Sequence, residues 1–251
     1  MTIMMNALKE RIRRKELYIV VVVAVIILAL FGSDAATISV EGEAVIGFQS
    51  MFRVLHVVVN VTGCLLAMIL SLPTIPTEYR EKRSHLVWIR GISQVKYHTQ
   101  LTAANIVSSA LAVTILYLTL AFYAITQGAA GYLPAMLPGL LITYMGIAIV
   151  SLLISVLSIC LPSFAVGLIG SICIVAGIGH GLLDSYKNII GGFSGTLIKW
   201  ILWIFPDLNG IQGQAANVII GDGVDVHVLL KGLLTLYIIS LGLLLFRKKE
   251  A

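Results

Sequence analysis

Hydrophobic residues run along this chain in long blocks, and the polar residues are concentrated in the segments between them. Helices that cross a lipid bilayer need about 20 apolar residues, and a membrane β-barrel would show alternating apolar and polar positions instead. Six blocks have the helical character, namely residues 17–31, 48–72, 101–126, 133–161, 163–183 and 226–246. The pattern predicts an all-α integral membrane protein with six transmembrane helices in one domain, 1–251.

Composition supports this class and excludes others. The chain is 59% hydrophobic and only 12% charged, whereas soluble domains carry about 25% charged residues. So few charges cannot cover a water-soluble globule. The net charge of +5 would suit nucleic acid, but the basic residues flank the apolar blocks, so we expect a lipid bilayer and no nucleic acid as the partner.

The distribution of Lys and Arg predicts the orientation. Residues 1–16 and 77–100 hold five each and 247–249 hold three, against three in all the alternate segments together. Basic residues are retained on the cytoplasmic side, so both termini are expected in the cytoplasm of a multi-pass protein of the cell membrane. A signal peptide over the first block is the alternative, but the long lead with Glu10 and Glu16 favours retention.

Three segments between the blocks have distinct characters. Residues 1–16 place apolar side chains on one helical face and basic ones on the rest, which predicts an interfacial elbow helix. Residues 77–100 predict a charged, amphipathic cytoplasmic segment in which Thr77 is a plausible N-cap. Residues 184–225 are expected outside. Within them, 197–205 is apolar but too short to span, so we expect a re-entrant or interfacial helix anchored by Trp200 and Trp203.

Two stretches carry a family resemblance. The first is EYREKR (78–83) leading through LVW (86–88) to GIS (91–93), and the second is FPDLN (205–209). They are similar to the coupling segment and to the proline-containing stretch before the last span in permease subunits of type-2 ABC exporters. The order of elbow helix, coupling segment, re-entrant helices and basic tail resembles that family over the whole chain. Gly91 and Gln94 stand where the family usually has Pro and Arg.

The resemblance implies a permease that exports a hydrophobic or amphipathic substrate. The small size and the Glu78-Tyr79 pair resemble Gram-positive permeases for antimicrobial or toxin-like peptides, so a peptide is the expected substrate. The implied partners are two copies of an ABC ATPase and a second permease copy, as a homodimer or related heterodimer. The coupling segment would dock on the ATPase through Glu78, Tyr79, Glu81, Arg83, Leu86, Trp88, Ile89 and Arg90. Adsorption of this segment to anionic lipid is the simpler interpretation.

The sequence contains no Gly-x-x-x-x-Gly-Lys phosphate-binding loop. We therefore expect this chain to bind no cofactor, with ATP and Mg on the separate ATPase. The three cysteines, Cys64, Cys160 and Cys173, lie apart in apolar runs. This spacing favours small core residues over a metal or redox site.

Several other residues are candidates for the pathway or an external gate. Arg53 and His56 lie one turn apart near the start of the second block, and ionisable residues inside a membrane are candidates for function. The simpler interpretation is that Arg53 extends to the interface and pairs with Glu41 or Glu43. The external segment contributes His180, Trp200, Trp203 and Pro206 to the candidate gate.

Two alternative functions belong to different classes. Gly192-Phe193-Ser194-Gly195 matches the Gly-x-Ser-Gly of rhomboid-type serine hydrolases, and His227 follows as a possible base. Against this, Ser194 lies in the glycine-rich external segment instead of on a buried helix. A passive channel is the other alternative, which ATP dependence of transport would exclude.

Overall fold

The structure is a computed structural model that describes residues 2–13, 15–31, 39–40, 43–44, 47–190 and 192–245. It is built almost wholly from helices. A short 3-10 turn, Ala130–Tyr132, precedes α7, and the strands Ser39–Val40 (β1) and Glu43–Ala44 (β2) form a small antiparallel pair. The helices in chain order are α1 Thr2–Arg13, α2 Glu16–Phe31, α3 Phe48–Ser71, α4 Thr74–Arg80, α5 Arg83–Ile89, α6 Gln94–Thr126, α7 Leu133–Cys160, α8 Ser163–Ile178, α9 His180–Ile189, α10 Gly192–Ile204, α11 Leu208–Ile220 and α12 Val226–Leu245.

Long apolar helices make this a membrane-embedded protein. Over the described ranges, four helical stretches are long and apolar enough to cross a bilayer: Phe48–Arg80, Gln94–Thr126, Ala130–Cys160 and Val226–Leu245. A fifth arises if α8 and α9, bent by 63° at their junction, are taken as one broken span. α2 has 16 residues, a length of about 24 Å. It is shorter than an ordinary span, so the six-span arrangement stays a prediction.

The core lies between α3, α6 and α7, with α11 packed against α7. Fully buried apolar side chains from these helices fill it, among them Phe52, Leu116, Ile147 and Leu208. α2 lies on α6 through a stripe at helical spacing, Val20, Ala24 and Ile27, while its other face is exposed. Such one-sided burial is expected where lipid covers the remaining face.

The connector, residues 74–93, joins α3 to α6 and differs from one continuous amphipathic helix. Thr77 lies inside α4 and caps nothing, because α4 begins at Thr74 with Pro73 as its N-cap. Pro76 is tolerated because N–H groups in a first turn have no helical partner. Lys82 and Gly91 have positive φ angles, 55° and 71°. These angles end the two short helices and separate α5 from α6, which starts at Gln94 instead of 101.

Residues 184–225 fold into more helix than the sequence suggested. α10 covers 13 residues, Gly192–Ile204, and packs against α9 as a helical hairpin. α11 is buried along one side through Ile211, Ala215 and Ile219. The predicted short helix therefore exists with longer bounds, and its relation to a membrane surface stays a prediction.

Candidate functional site

Arg11 lies at the centre of a polar network at the basic end, the end of the bundle formed by α1, the connector and the start of α6. Its Nη2 donates to the Leu70 carbonyl at 2.8 Å, to Thr74 Oγ1 at 2.6 Å and to Asn105 Oδ1. The side chain is 7% exposed, and burial lowers the pKa of the guanidinium. The sequence pattern placed Arg11 on the polar face of an interfacial helix, and this assignment was wrong.

Asn105 extends this network to α7. Its Oδ1 accepts from Arg11 and, at 2.8 Å, from Thr74 Oγ1, while its Nδ2 donates to Ser155 Oγ at 2.8 Å. Because Arg11, Thr74, Asn105 and Ser155 come from α1, α4, α6 and α7, one asparagine links all four helices. A separate pair, Ser71 and Ser151, joins α3 to α7 nearby at 2.8 Å.

A cluster of ion pairs holds the connector against α1. Arg83 Nη1 donates to Glu10 at 2.9 and 3.1 Å, and it lies 3.5 Å from Glu78 Oε1. Arg83 Nη2 lies 2.5 Å from Glu81 Oε2. Hydrogen bonding to Glu10 raises the pKa of Arg83. Three predicted coupling residues, Glu78, Glu81 and Arg83, thus converge, together with Glu10 from the elbow helix.

Aromatic residues tie the connector to α6. Tyr79 OH lies 2.8 Å from His98 Nε2, and Tyr97 OH donates to Glu78 Oε2 at 2.5 Å. Trp88 packs on the Tyr79 ring, with 5.8 Å between the centroids. The connector is therefore fixed to both α1 and α6 by specific contacts.

Two of the remaining coupling residues lie on the surface. Ile89 is 82% exposed, and the adjacent Arg90 is exposed as well. Leu86 belongs to α5, and the position of its side chain lies outside the described part of the chain. Ile89 is therefore an apolar side chain on the exposed surface of the connector, available for contact with another molecule or with lipid.

Arg53 and His56 occupy different environments despite lying one turn apart. Arg53 pairs with Asp222 and donates to Asn217 Oδ1 at 3.2 Å, which ties α3 to α11 and the loop after it. A pairing of Arg53 with Glu41 or Glu43 stays a prediction, because Glu41 and the Glu43 side chain lie outside the described residues. The contacts with Asn217 and Asp222 follow from the packing of α11 against α3.

His56 is buried among three helices. Its Nε2 lies 2.8 Å from Tyr117 OH, which in turn lies 2.6 Å from Thr143 Oγ1. Asn60 approaches the other ring nitrogen at 3.0 Å. The cluster links α3, α6 and α7 in the core, where buried polar groups must find partners. A role for His56 in a pathway stays a prediction.

The residues proposed for a gate lie at the opposite end, formed by α9, α10 and α11. His180 Nδ1 lies 3.6 Å from Asp207 Oδ1, which also caps α11 by accepting from the Gly210 N–H at 2.7 Å. Pro206 is buried beside them. Trp200 and Trp203 are exposed, with their rings edge to face at 6.1 Å. The structure thus brings His180 and Pro206 together and leaves the tryptophans on the surface.

The arrangement gives no support to hydrolysis. Ser194 is exposed at the start of α10, and no hydrogen bond joins it to His227 in the part of the chain that the structure describes. Nor does any group of three His, Cys, Asp or Glu side chains within the described ranges have an arrangement suited to a metal ion.

Comparison of the chain with models of known protein families, with curated proteins and with solved structures gives no match.

The residues that sequence reasoning missed are Arg11 and Asn105. Arg11 sits in a run of basic residues, and among the described members of that run it is the one with a buried side chain. A signal was present in the apolar blocks, since Asn105 is a strongly polar residue within the third block. Such residues inside a span are expected to face other helices.

Proposed function

We propose that this protein is the transmembrane permease subunit of an ATP-driven exporter. The observation that carries the proposal is the connector: it is fixed to α1 and α6 by Arg83–Glu10, Tyr97–Glu78 and Tyr79–His98, while Ile89 is exposed. A force applied at such a surface would be passed to two helices at once. This is what coupling to a separate motor subunit requires.

The proposal places the basic end in the cytoplasm. Its support is the excess of Lys and Arg in the segments around α1, the connector and the chain's end. An ATPase that hydrolyses cytoplasmic ATP with Mg would then meet the connector directly. Two ATPases and two permease copies, identical or related, would complete the transporter.

A hydrophobic or amphipathic peptide is the proposed cargo. The support is chemical: buried side chains in the described part of the bundle are mostly apolar, and most of the buried polar ones bond to one another or to carbonyls of their own helix. A wall of this kind offers few charged groups to bind a polar solute. Resemblance to Gram-positive peptide exporters narrows the choice to antimicrobial or toxin-like peptides.

The decisive experiment uses Ile89. The chain is purified in mild detergent from cells that express it together with the products of its neighbouring reading frames, and co-purification of an ATPase, ATP hydrolysis and transport into vesicles are measured. We expect Ile89→Asp to release the ATPase or to abolish transport, because burying a large apolar side chain contributes about 1.5–3 kcal/mol. Ile89→Leu and Arg90→Gln are the controls, since the first keeps the apolar surface and the second removes only an exposed charge.

Two results would contradict the proposal. One is an Ile89→Asp protein that keeps its ATPase and its transport rate while both controls behave as the unmodified protein does. The other is transport that proceeds without ATP, which favours the passive channel.

A further inference from the structure

A cleft at the basic end has unsatisfied groups of opposite charge on its walls. It lies between α1, the start of α2 and the α3–α4 junction, and is open to solvent. Its walls include Glu10, Arg11, Glu16, Leu70, Thr74 and Glu78.

Arg11 supplies an unused donor to this cleft. Its Nη2 has the acceptors described above, but Nη1 is buried and has no hydrogen-bond partner among the described residues. A guanidinium N–H without an acceptor is costly, because a buried charged group loses its hydration. An oxygen with negative charge is the acceptor that suits it best.

Glu16 supplies the complementary acceptor. Its side chain is partly buried, and it forms no hydrogen bond or ion pair with the described residues. The other two carboxylates are already engaged: Glu10 accepts from Arg83, and Glu78 accepts from Tyr97. The cleft therefore offers one N–H donor and one carboxylate that lack a hydrogen-bond partner among the described residues, although the two charges attract each other.

We propose that the cleft binds a phosphoethanolamine group, the headgroup of phosphatidylethanolamine. Its phosphate would accept from Arg11 Nη1, and its ammonium would donate to Glu16. A purely anionic ligand would be repelled by three carboxylates, and a purely cationic one would leave Arg11 unsatisfied. A zwitterion with N–H donors satisfies both groups.

The position of the cleft favours a lipid as the source of this group. Glu16 opens α2, whose apolar run follows immediately, so the cleft lies where a membrane helix meets the polar interface. The exposed side chains of Tyr18, Ile19 and Val22 leave an apolar face of α2 beside it for acyl chains. This inference concerns the lipid environment and is independent of the proposed export function.

The test compares two lipids with the same acyl chains. The purified full-length chain in detergent is titrated with phosphatidylethanolamine or phosphatidylcholine, and binding is followed by thermal stabilisation and by native mass spectrometry. Phosphatidylcholine keeps the phosphate but has no N–H donors. We expect phosphatidylethanolamine to bind about tenfold more tightly, because one charge-assisted hydrogen bond separates the two.

Variants then assign the preference to the cleft. Arg11→Gln and Glu16→Gln should each reduce the preference to near unity. Arg13→Gln is the matched control: it removes the same charge from an exposed position two residues further along α1 and should leave the preference unchanged. If Arg11→Gln fails to fold, Glu16→Gln and the comparison of lipids on the unmodified protein decide the matter.

Competition with soluble phosphoethanolamine shows whether the bound group comes from a lipid or from a free metabolite. Weak competition at millimolar concentration supports a lipid headgroup, and competition as strong as that of the lipid supports the same chemistry from a free metabolite. Equal binding of the two lipids would overturn the proposal. So would an equal loss in Arg13→Gln, which would indicate general attraction to a basic helix.

Discussion

The two ends of the helical core are held together in different ways. At the basic end, side-chain hydrogen bonds from Arg11, Thr74, Asn105 and Ser155 connect four helices. At the opposite end, the helices approach so closely that a glycine is needed. A Cβ on Gly177 would lie 2.8 Å from the Pro206 carbonyl oxygen. Helix packing at the basic end thus depends on side-chain hydrogen bonds, and packing at the opposite end depends on close approach of the backbones.

The chemistry of the attached segments explains the difference. α1 contains Lys9, Arg11 and Arg13, and the buried one, Arg11, brings N–H donors that need partners. α11 is apolar with small residues, and Ala215 and Ala216 are buried against neighbouring helices. Small residues let helix backbones approach within a membrane, where packing and not water drives association.

The largest expected effect is at the basic end. Asn105→Leu would remove an acceptor of Arg11 and the donor to Ser155, leaving a buried guanidinium with fewer partners. We expect the free energy of unfolding to fall by about 2–3 kcal/mol, because hydrogen bonds to charged groups contribute roughly that much. Unfolding in mixed micelles with increasing denaturing detergent measures it.

Ser108→Ala is the control for that measurement. Ser108 is equally buried on α6, but its hydroxyl bonds only to the Ala104 carbonyl of its own helix, at 2.8 Å. Its loss should cost less than about 1 kcal/mol. If the two variants had the same stability, the network around Arg11 would not be what holds the basic end.

An intermediate effect is expected where glycine permits close packing. In Gly177→Ala the new methyl group would meet both the Pro206 carbonyl and the Leu208 side chain, the latter at 2.9 Å. Overpacking of this kind costs about 1–3 kcal/mol.

Gly213→Ala in α11 is the matched control, since nothing lies within 4 Å of a Cβ added at this position. The control should be neutral or stabilising by up to about 1 kcal/mol. An unchanged Gly177→Ala protein would show that α8 can move away from α11.

How far the sequence predicted this fold depends on the kind of signal. Long apolar blocks gave the helical membrane class and the approximate position of α3, α6, α7, α8 and α12, because hydropathy over 20 residues is a local property. The burial of Arg11 could not be predicted in this way: it depends on acceptors 59 to 94 residues away along the chain. The same holds for Arg53, whose partner Asp222 is 169 residues away.

The predicted coupling residues show the same division. They were assigned by resemblance to a family's coupling segment, and Glu78, Glu81 and Arg83 lie together in the structure. That Arg83 also reaches Glu10 in α1 was not predicted, because periodicity within one segment carries no information about its neighbours in space. Thr77 was misassigned as a helix start since Pro76 before it suggested a break. A proline within the first turn does not interrupt a helix.

The smallest effect should come from the exposed counterpart of Arg11. Arg53 and Asp222 have side chains 46% and 52% exposed, and ion pairs in contact with water contribute about 0.2–1 kcal/mol. Arg53→Gln should therefore lower the free energy of unfolding by less than about 1 kcal/mol.

In a double-mutant cycle with Asp222→Asn, the coupling energy between the two side chains should become smaller as salt is raised, because exposed charges are screened. A coupling above about 2 kcal/mol that is insensitive to salt would mean that lipid or another chain buries this pair. The opposite end would then also depend on a buried charge, and the contrast with Arg11 would disappear.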